Sequence, residues 1–245
     1  MSLFFALTAT LTPGVHAEEL PTVGEILAEV DANMVFDVRS TTATMTVVKP
    51  RRTKTYTLLS YGRGVDDAAT EFLSPERDAG TKMLKKGEEM WMYLPSIEKV
   101  QKLSGHMLRQ GMMGSDISYE DMMESSSWLD SYTAEVSGVD TFEDRPCWKL
   151  EMIAKTDDIA YPKRVVWVDQ QTKIPVKQEL YALSGMLLKV WTMHDAEQYG
   201  ERWYPSRMVV VDKLQEGTKT EMVFDEMSFT VELEEEVFSM RWLER

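Results

Sequence analysis

The spacing of apolar and polar residues changes once, early in the chain, and then holds. Val23, Ile26, Leu27, Val30 and Met34 recur at helical intervals behind Thr22-Val23-Gly24-Glu25, which has the spacing of a capping box. One amphipathic helix is therefore expected, ending near Asp37. From Ser40 the period becomes two. Ala43, Met45 and Val47 alternate with Thr42, Thr44 and Thr46, and Tyr56 and Leu58 continue the pattern. Turn signals then return at hairpin spacing, at Gly62-Arg63-Gly64, Lys86-Gly87, Asp169 to Thr172, Ser184-Gly185 and Glu216-Gly217. Short connections make neighbouring strands antiparallel, so the chain reads as mainly β within an α+β class. No internal repeat or linker divides it.

Some strands carry more apolar residues than one buried face needs. Met90-Trp91-Met92-Tyr93-Leu94, Val165-Val166-Trp167-Val168 and Met208-Val209-Val210-Val211 are apolar on both sides, where a half-solvated antiparallel strand would alternate. Something must cover the second face. The candidates are the N-terminal helix, a methionine-rich loop, a second sheet or a bound lipid.

Between Ser104 and Ser127 the alternation fails altogether. His106 to Asp116 combines glycine hinges with methionine, and Ser118 with Asp121 three residues on predicts a short capped helix. Long loops inside compact domains are often lids or binding loops. The alternative is a crossover that packs its methionines into the core.

A chain of 245 residues suits a single β-barrel or sandwich. Residues 1–17 carry no charge and run through Leu3-Phe4-Phe5-Ala6-Leu7 to Val15-His16-Ala17, the pattern of a secretory signal without its usual basic start. Cleavage after Ala17 would leave 18–245 as one exported domain. A mildly apolar, disordered N-terminus is the alternative. No later run approaches the roughly 20 apolar residues that a bilayer crossing needs. The single cysteine, Cys147, excludes a disulfide within the chain. The net charge of −14 survives removal of residues 1–17 and argues against nucleic acid as a partner.

Chemistry finds little to work with. Beyond residue 17 only His106 and His194 remain, so neither a metal site nor a cofactor is expected. His194-Asp195 could be read as a base with its orienter, but no nucleophile is marked out, and phosphate and dinucleotide motifs are missing. No catalytic residue is assigned, and the chain reads as a binding protein. Its 18 methionines, many on the strands and the loop just named, supply flexible thioethers that repack around variable apolar ligands. The expected ligand contacts are Met90, Trp91, Met92, Tyr93, Leu94, Met107, Met112, Met113, Val166 and Trp167.

The order of several segments carries a resemblance. Glu71-Phe72-Leu73-Ser74-Pro75, Arg77-Asp78-Ala79-Gly80-Thr81, Gly87 to Met90 leading into Trp91-Met92-Tyr93-Leu94-Pro95, and Gly114-Ser115-Asp116-Ile117-Ser118-Tyr119-Glu120-Asp121 together resemble the LolA-like outer membrane lipoprotein-sorting proteins. The match is dense from about Glu71 to Glu124 and looser from Val168-Asp169 through Pro175 and at Val237-Phe238-Ser239. The resemblance implies an incomplete antiparallel β-barrel of about eleven strands, covered by helices, around an apolar cavity. It further implies a periplasmic carrier of lipoprotein or lipid acyl chains, loaded by an inner-membrane transporter and unloaded at an outer-membrane acceptor. Gly114, Ser115, Asp116, Tyr119, Glu120 and Asp121 would form its lid motif, and Arg63 and Arg109 are the candidates for a lid-locking arginine. Members with this Gly-Ser-Asp box resemble companions of lipid exporters of the resistance-nodulation-division type. An accessory or sensor subunit of such an exporter is the alternative.

Overall fold

The computed structural model describes residues 20–124 and 128–245; the signal expected over residues 1–17 lies outside them. Helix α1 (Val23–Met34) opens on the capping box read from the sequence. Thr22 N–H donates to Glu25 Oε2 at 2.8 Å, and Glu25 N–H to Thr22 Oγ1 at 3.3 Å. Such a cap contributes about 1 kcal/mol. The helix stops at Val35, two residues short of the expected end.

The strands follow as β1 (Val38–Lys49), β2 (Arg52–Arg63), β3 (Asp67–Ser74), β4 (Lys82–Lys86), β5 (Glu89–Leu94) and β6 (Lys99–Leu103). A loop carrying two 3-10 turns leads to α2 (Tyr119–Met123) and α3 (Trp128–Ser131). Next come β7 (Tyr132–Phe142), β8 (Arg145–Ala154), β9 (Lys163–Asp169), β10 (Pro175–Tyr181), β11 (Leu187–Tyr199), β12 (Arg202–Asp212) and β13 (Lys219–Ser228). A 3-10 turn at Glu235–Phe238 and α4 (Met240–Leu243) end the chain.

All thirteen described strands lie in one antiparallel sheet, an open barrel in the order β6-β5-β4-β3-β2-β1-β13-β12-β11-β10-β9-β8-β7. That is two more than the eleven expected. Three of its hairpins turn where the sequence signal is weaker, at Pro50-Arg51, Gly200-Glu201 and Glu143-Asp144. At the last, two successive non-glycine residues take positive φ, 49° and 62°, as a two-residue hairpin turn demands.

The pairing register sorts every strand into two faces. The inner face holds Ala43, Met45, Tyr56, Leu58, Phe72, Met83, Met90 and Met92, which pack under the 104–123 segment. At the other end of the sheet the same face holds Tyr132, Leu150, Met152, Val166 and Val168, which pack against Ile26, Leu27 and Val30 of α1. Ile26 and Leu27 are each 1% exposed, and burial of that degree contributes roughly 1.5–3 kcal/mol per side chain. The far end of α1 is pinned by polar contacts. Asn33 Nδ2 donates to Thr172 O at 2.8 Å, Trp203 N–H donates to Asn33 Oδ1 at 2.9 Å, and the Arg202 guanidinium binds Val35 O at 2.6 Å.

The outer face is covered at two of the three doubly apolar runs, on β5 and β9, whereas Val209 and Val211 of β12 stay partly exposed. Trp91, Tyr93, Leu84 and Ala69 pack against Val237, Phe238, Trp242 and Leu243 of the C-terminal segment. Arg63 fastens that segment by pairing with Glu235 at 2.5 Å while stacking on Phe238 at 4.6 Å. Near the opposite edge, the tip of the β7–β8 hairpin reaches the outer face of β9 and β11. Asp140 accepts from Trp167 Nε1 at 2.9 Å, and Phe142 meets the His194 ring at 6.2 Å.

Candidate functional site

The segment from Ser104 to Glu124 lies across the inner face and is held at three places. The first anchor is the Gly-Ser-Asp box. Gly114 takes φ 81°, and Gly111 lies so close to the Ser115 carbonyl that a Cβ there would sit 2.1 Å from the oxygen. This tight turn aims buried Asp116 at β13. Thr218 Oγ1 donates to its Oδ1 at 2.6 Å, Thr220 Oγ1 donates to its Oδ2 at 2.7 Å, and Asp116 N–H donates back to Thr220 Oγ1 at 2.8 Å. Lys49 Nζ lies 3.6 Å away. The second anchor is apolar. Met112 and Tyr119 are buried among Met90, Met92 and Leu58, and Tyr56 Oη donates to Met113 O at 3.3 Å.

The third anchor is α2. Ser118 Oγ accepts from Asp121 N–H at 3.1 Å, and Asp121 Oδ2 accepts from Ser118 N–H at 2.7 Å. The same carboxylate accepts from Tyr161 Oη and Lys189 Nζ, each at 2.5 Å. Burial, followed by the negative charge of Asp121, pushes the Tyr161 phenol well above its ordinary range, so it stays a donor. One turn on, Glu124 Oε1 lies 2.6 Å from Arg164 Nη2. Arg164 is only 3% exposed; its Nε donates to Tyr132 Oη at 2.9 Å, and the rings of Tyr132, Tyr161 and Trp128 surround it. Burial works against its charge, and Glu124 and Tyr132 more than offset that.

Two cavities flank α2. One, of about 360 Å³, lies between α1 and the sheet and is lined by Val30, Met34, Met122, Leu180, Trp191 and Met193, together with Arg39 and Lys85. The other, of about 450 Å³, lies on the far side and is lined by Leu108, Met123, Tyr132, Ile159 and Tyr161, with Gly87 and Glu88 at the β4–β5 turn. Asp121, Glu124 and Arg164 border both, so the polar contacts of α2 form the partition between them. Each volume falls within the roughly 300–1,000 Å³ usual for ligand pockets.

The expected ligand residues are divided by the sheet. Met90, Met92 and Leu94 share the inner face with Met107, Met112 and Met113, in one packed cluster beneath the loop. Val166 also faces inward, under α1. Trp91 and Tyr93 face outward onto the C-terminal segment, and Trp167 faces outward beneath the β7–β8 tip, with Lys177 Nζ 4.0 Å from its ring centre. None of these ten borders either cavity. Of the motif residues, Gly114, Ser115 and Asp116 build the first anchor, Tyr119 belongs to the second, Glu120 borders the larger cavity and Asp121 both. Neither arginine suggested for a lid lock forms an ion pair with α2 among the described residues. Arg63 holds Asp67 and Glu235, and Arg109 is exposed on the loop itself. The buried arginine that meets α2 is Arg164.

Other readings of the sequence also find their places. His194 Nδ1 lies 3.2 Å from Glu143 and its Nε2 2.8 Å from Thr192 Oγ1, whereas Asp195 pairs with Arg207 at 2.7 Å. These adjacent residues therefore do not act on each other. Among the described residues, no cluster of three or more His, Cys, Asp or Glu could hold a metal ion, and no helix is long and apolar enough to cross a membrane.

A family model described as "Uncharacterized protein" matches residues 64–245, well over half of the chain. A domain from Vibrio parahaemolyticus named for outer membrane lipoprotein sorting shares the fold with a TM-score of 0.81 and 27% identity, over 90% of this chain and 97% of that one. The chain belongs to the family which that model describes, and it has a LolA-like fold. The same fold recurs in a DUF1329 family protein from Desulfovibrio piger, with a TM-score of 0.83 and 23% identity over 89% of this chain and 96% of that one. It recurs again in a LolA superfamily protein from Nitrosomonas europaea, with a TM-score of 0.75 and 21% identity over 91% and 100%. No curated protein matches the chain in sequence. Within the family fold, the inner face with its helical cover is where this chain keeps its two cavities.

Proposed function

We propose that this protein is a periplasmic carrier that holds acyl chains of lipoproteins or lipids between the inner face of its sheet and the cover formed by α1 and α2. One observation carries the reading: two cavities, lined in part by Val30, Met34 and Leu180 and by Leu108, Met123 and Ile159, lie side by side on that face, separated by a single short helix. Displacement of α2 joins them into one elongated chamber. The methionine cluster under the loop then supplies side chains that can repack around a chain longer than either cavity accommodates.

The energetics suit a shuttle. Each methylene removed from water contributes about 0.8 kcal/mol, so ten supply roughly 8 kcal/mol before ordering costs. That corresponds at best to about micromolar affinity. Cargo held so loosely can be taken from an inner-membrane transporter and passed to an outer-membrane acceptor without covalent chemistry. In this reading Arg164, Glu124 and Asp121 keep the empty carrier closed, since charge pairs at low exposure hold one geometry better than apolar contact does.

Native mass spectrometry of protein purified from a bacterial periplasm tests the proposal. The expected result is a population carrying one acylated species, displaced by added detergent. Protein that is uniformly empty, and that also fails to bind an apolar fluorescent probe, would overturn it.

A further inference from the structure

Three large apolar side chains stand in solvent at one end of the sheet. Leu183 is 87% exposed, Leu214 61% and Met186 51%, on the turns that join β10 to β11 and β12 to β13. Strands β11 and β12 are neighbours, and Lys213 N–H donates to Leu188 O at 2.8 Å, so the two turns lie side by side. The β1–β2 turn meets them from the other side. Lys49 Nζ lies 3.4 Å from Gln215 Oε1, and a Cβ on Gly217 would lie 3.4 Å from Pro50 Cγ. The turns themselves do not need these apolar residues. One closes through Ala182 N–H to Met186 O and through Gly185 at φ 82°, and in the other Asp212 accepts from Leu214 N–H at 2.8 Å. Single exposed apolar residues are ordinary, but several on adjacent turns, bordered by charge, have the form of an interaction surface.

The charge at this end is opposite to that of the chain. Residues 49–54 carry four cations and no acid, residues 182–189 one cation, and residues 212–219 two of each sign, which leaves the three turns at +5 in a protein of −14. Lys49, Lys54 and Lys189 lie against Asp116, Asp78 and Asp121. Arg51, Arg52, Lys213 and Lys219 are exposed and form no ion pair among the described residues, against one exposed acid on these turns, Glu216. The apolar side chains protrude instead of lining a groove, which suits entry into a soft layer better than the fit to a shaped partner. Cations around them favour a layer whose surface is anionic.

We propose that this end of the sheet docks on a lipid bilayer with anionic head groups, Leu183, Met186 and Leu214 entering the interface while Arg51, Arg52, Lys213 and Lys219 lie on the head groups. None of these seven residues borders either cavity, so the inference stands whether or not the cavities take acyl chains. Docking in this orientation brings the Asp116 anchor close to the membrane, because Thr218, which donates to Asp116, ends the turn that carries Leu214.

Co-sedimentation of the full chain with vesicles of equal parts phosphatidylcholine and phosphatidylglycerol, compared with phosphatidylcholine alone, tests this. The anionic vesicles should bind it at least about tenfold more tightly. Arg51→Gln combined with Arg52→Gln should weaken that binding by about twentyfold, and Leu183→Ser combined with Leu214→Ser by about tenfold or more. All four positions are exposed, so the variants should fold as the parent does. Val139→Ser, at a residue 56% exposed on β7 and away from these turns, should change nothing. A polarity-sensitive dye on Leu183→Cys should brighten on anionic vesicles, since the buried Cys147 stays unlabelled. Equal binding to both vesicle types, binding to neither, or binding that the turn variants leave unmoved would each overturn the docking site. Binding to native bacterial membranes but not to pure lipid would overturn it in favour of a protein partner.

Discussion

Arg164 Nη2 and Glu124 Oε1, 2.6 Å apart, join the inner face of the sheet to the end of α2. The arginine is buried and the glutamate half-exposed, so the two ends of the pair respond differently to removal. Glu124→Gln leaves a buried guanidinium with a weaker partner. It should lower stability by about 1–3 kcal/mol and loosen α2. Hydrogen exchange should report faster exchange in residues 119–123 with β8 and β9 unchanged. Adding Arg164→Met should recover most of the lost stability, because an apolar residue there leaves no uncompensated charge. If α2 exchange is unaltered in Glu124→Gln, the pair does not hold α2.

Asp116 is the second test, because it joins the loop to β13 through two hydroxyl donors. Asp116→Ala strands Thr218 and Thr220 in a buried place, and the expected loss is about 2–4 kcal/mol. Urea unfolding measures it. Asp116→Asn, which keeps an acceptor, should fall between the two. An alanine variant as stable as the parent would show that the loop is held by its methionines alone.

Neighbouring residues on β5 should give opposite phenotypes. Met92 is buried on the inner face beneath Tyr119, whose Oη lies 4.0 Å from its sulfur, whereas Trp91 lies outward under the C-terminal segment. Met92→Asp places a charge in an apolar cluster and should reduce both stability and probe binding. Trp91→Asp should free the C-terminal segment to proteolysis after residue 230 while probe binding stays near the parent value. Similar behaviour of the two variants in both assays would contradict the assignment of faces.

Cys147 supplies a prediction about pH. It is fully buried, and that burial, followed by the nearby charge of Asp169, pushes the thiol up to about 11. The folded protein should therefore resist alkylation at pH 8 and react only as fast as it unfolds. The sign for stability follows from linkage. The unfolded chain releases this proton near pH 8.5 and the folded one near 11, so stability should fall as pH rises between those values. Cys147→Ala should remove that part of the alkaline decline. A parent and variant with identical profiles from pH 8 to 10.5 would contradict it.

Much of the architecture was legible in the sequence because its signals are short-range. The Thr22 capping box, the Ser118 capping box, the two-residue period from Ser40 and the glycine turns each depend on residues within four positions of one another. The need for cover on both faces of the Met90–Leu94 and Val165–Val168 runs was equally local, and both runs are covered in the fold. What covers them was not local. The outer face of β5 is closed by residues 233–243, more than a hundred positions away, and no periodicity announces that contact.

The sites divide on the same principle. The sequence by itself determined the strands, their turns, the loop that interrupts them and the box that pins it, since steric and capping preferences act between near neighbours. Tertiary structure decided which methionines lie together, that Trp91 and Tyr93 turn away from them, and that Arg164 pairs with Glu124 at the end of α2. Strand register sets those outcomes, because a shift of one residue exchanges the two faces, and register is fixed only when all thirteen strands pair at once.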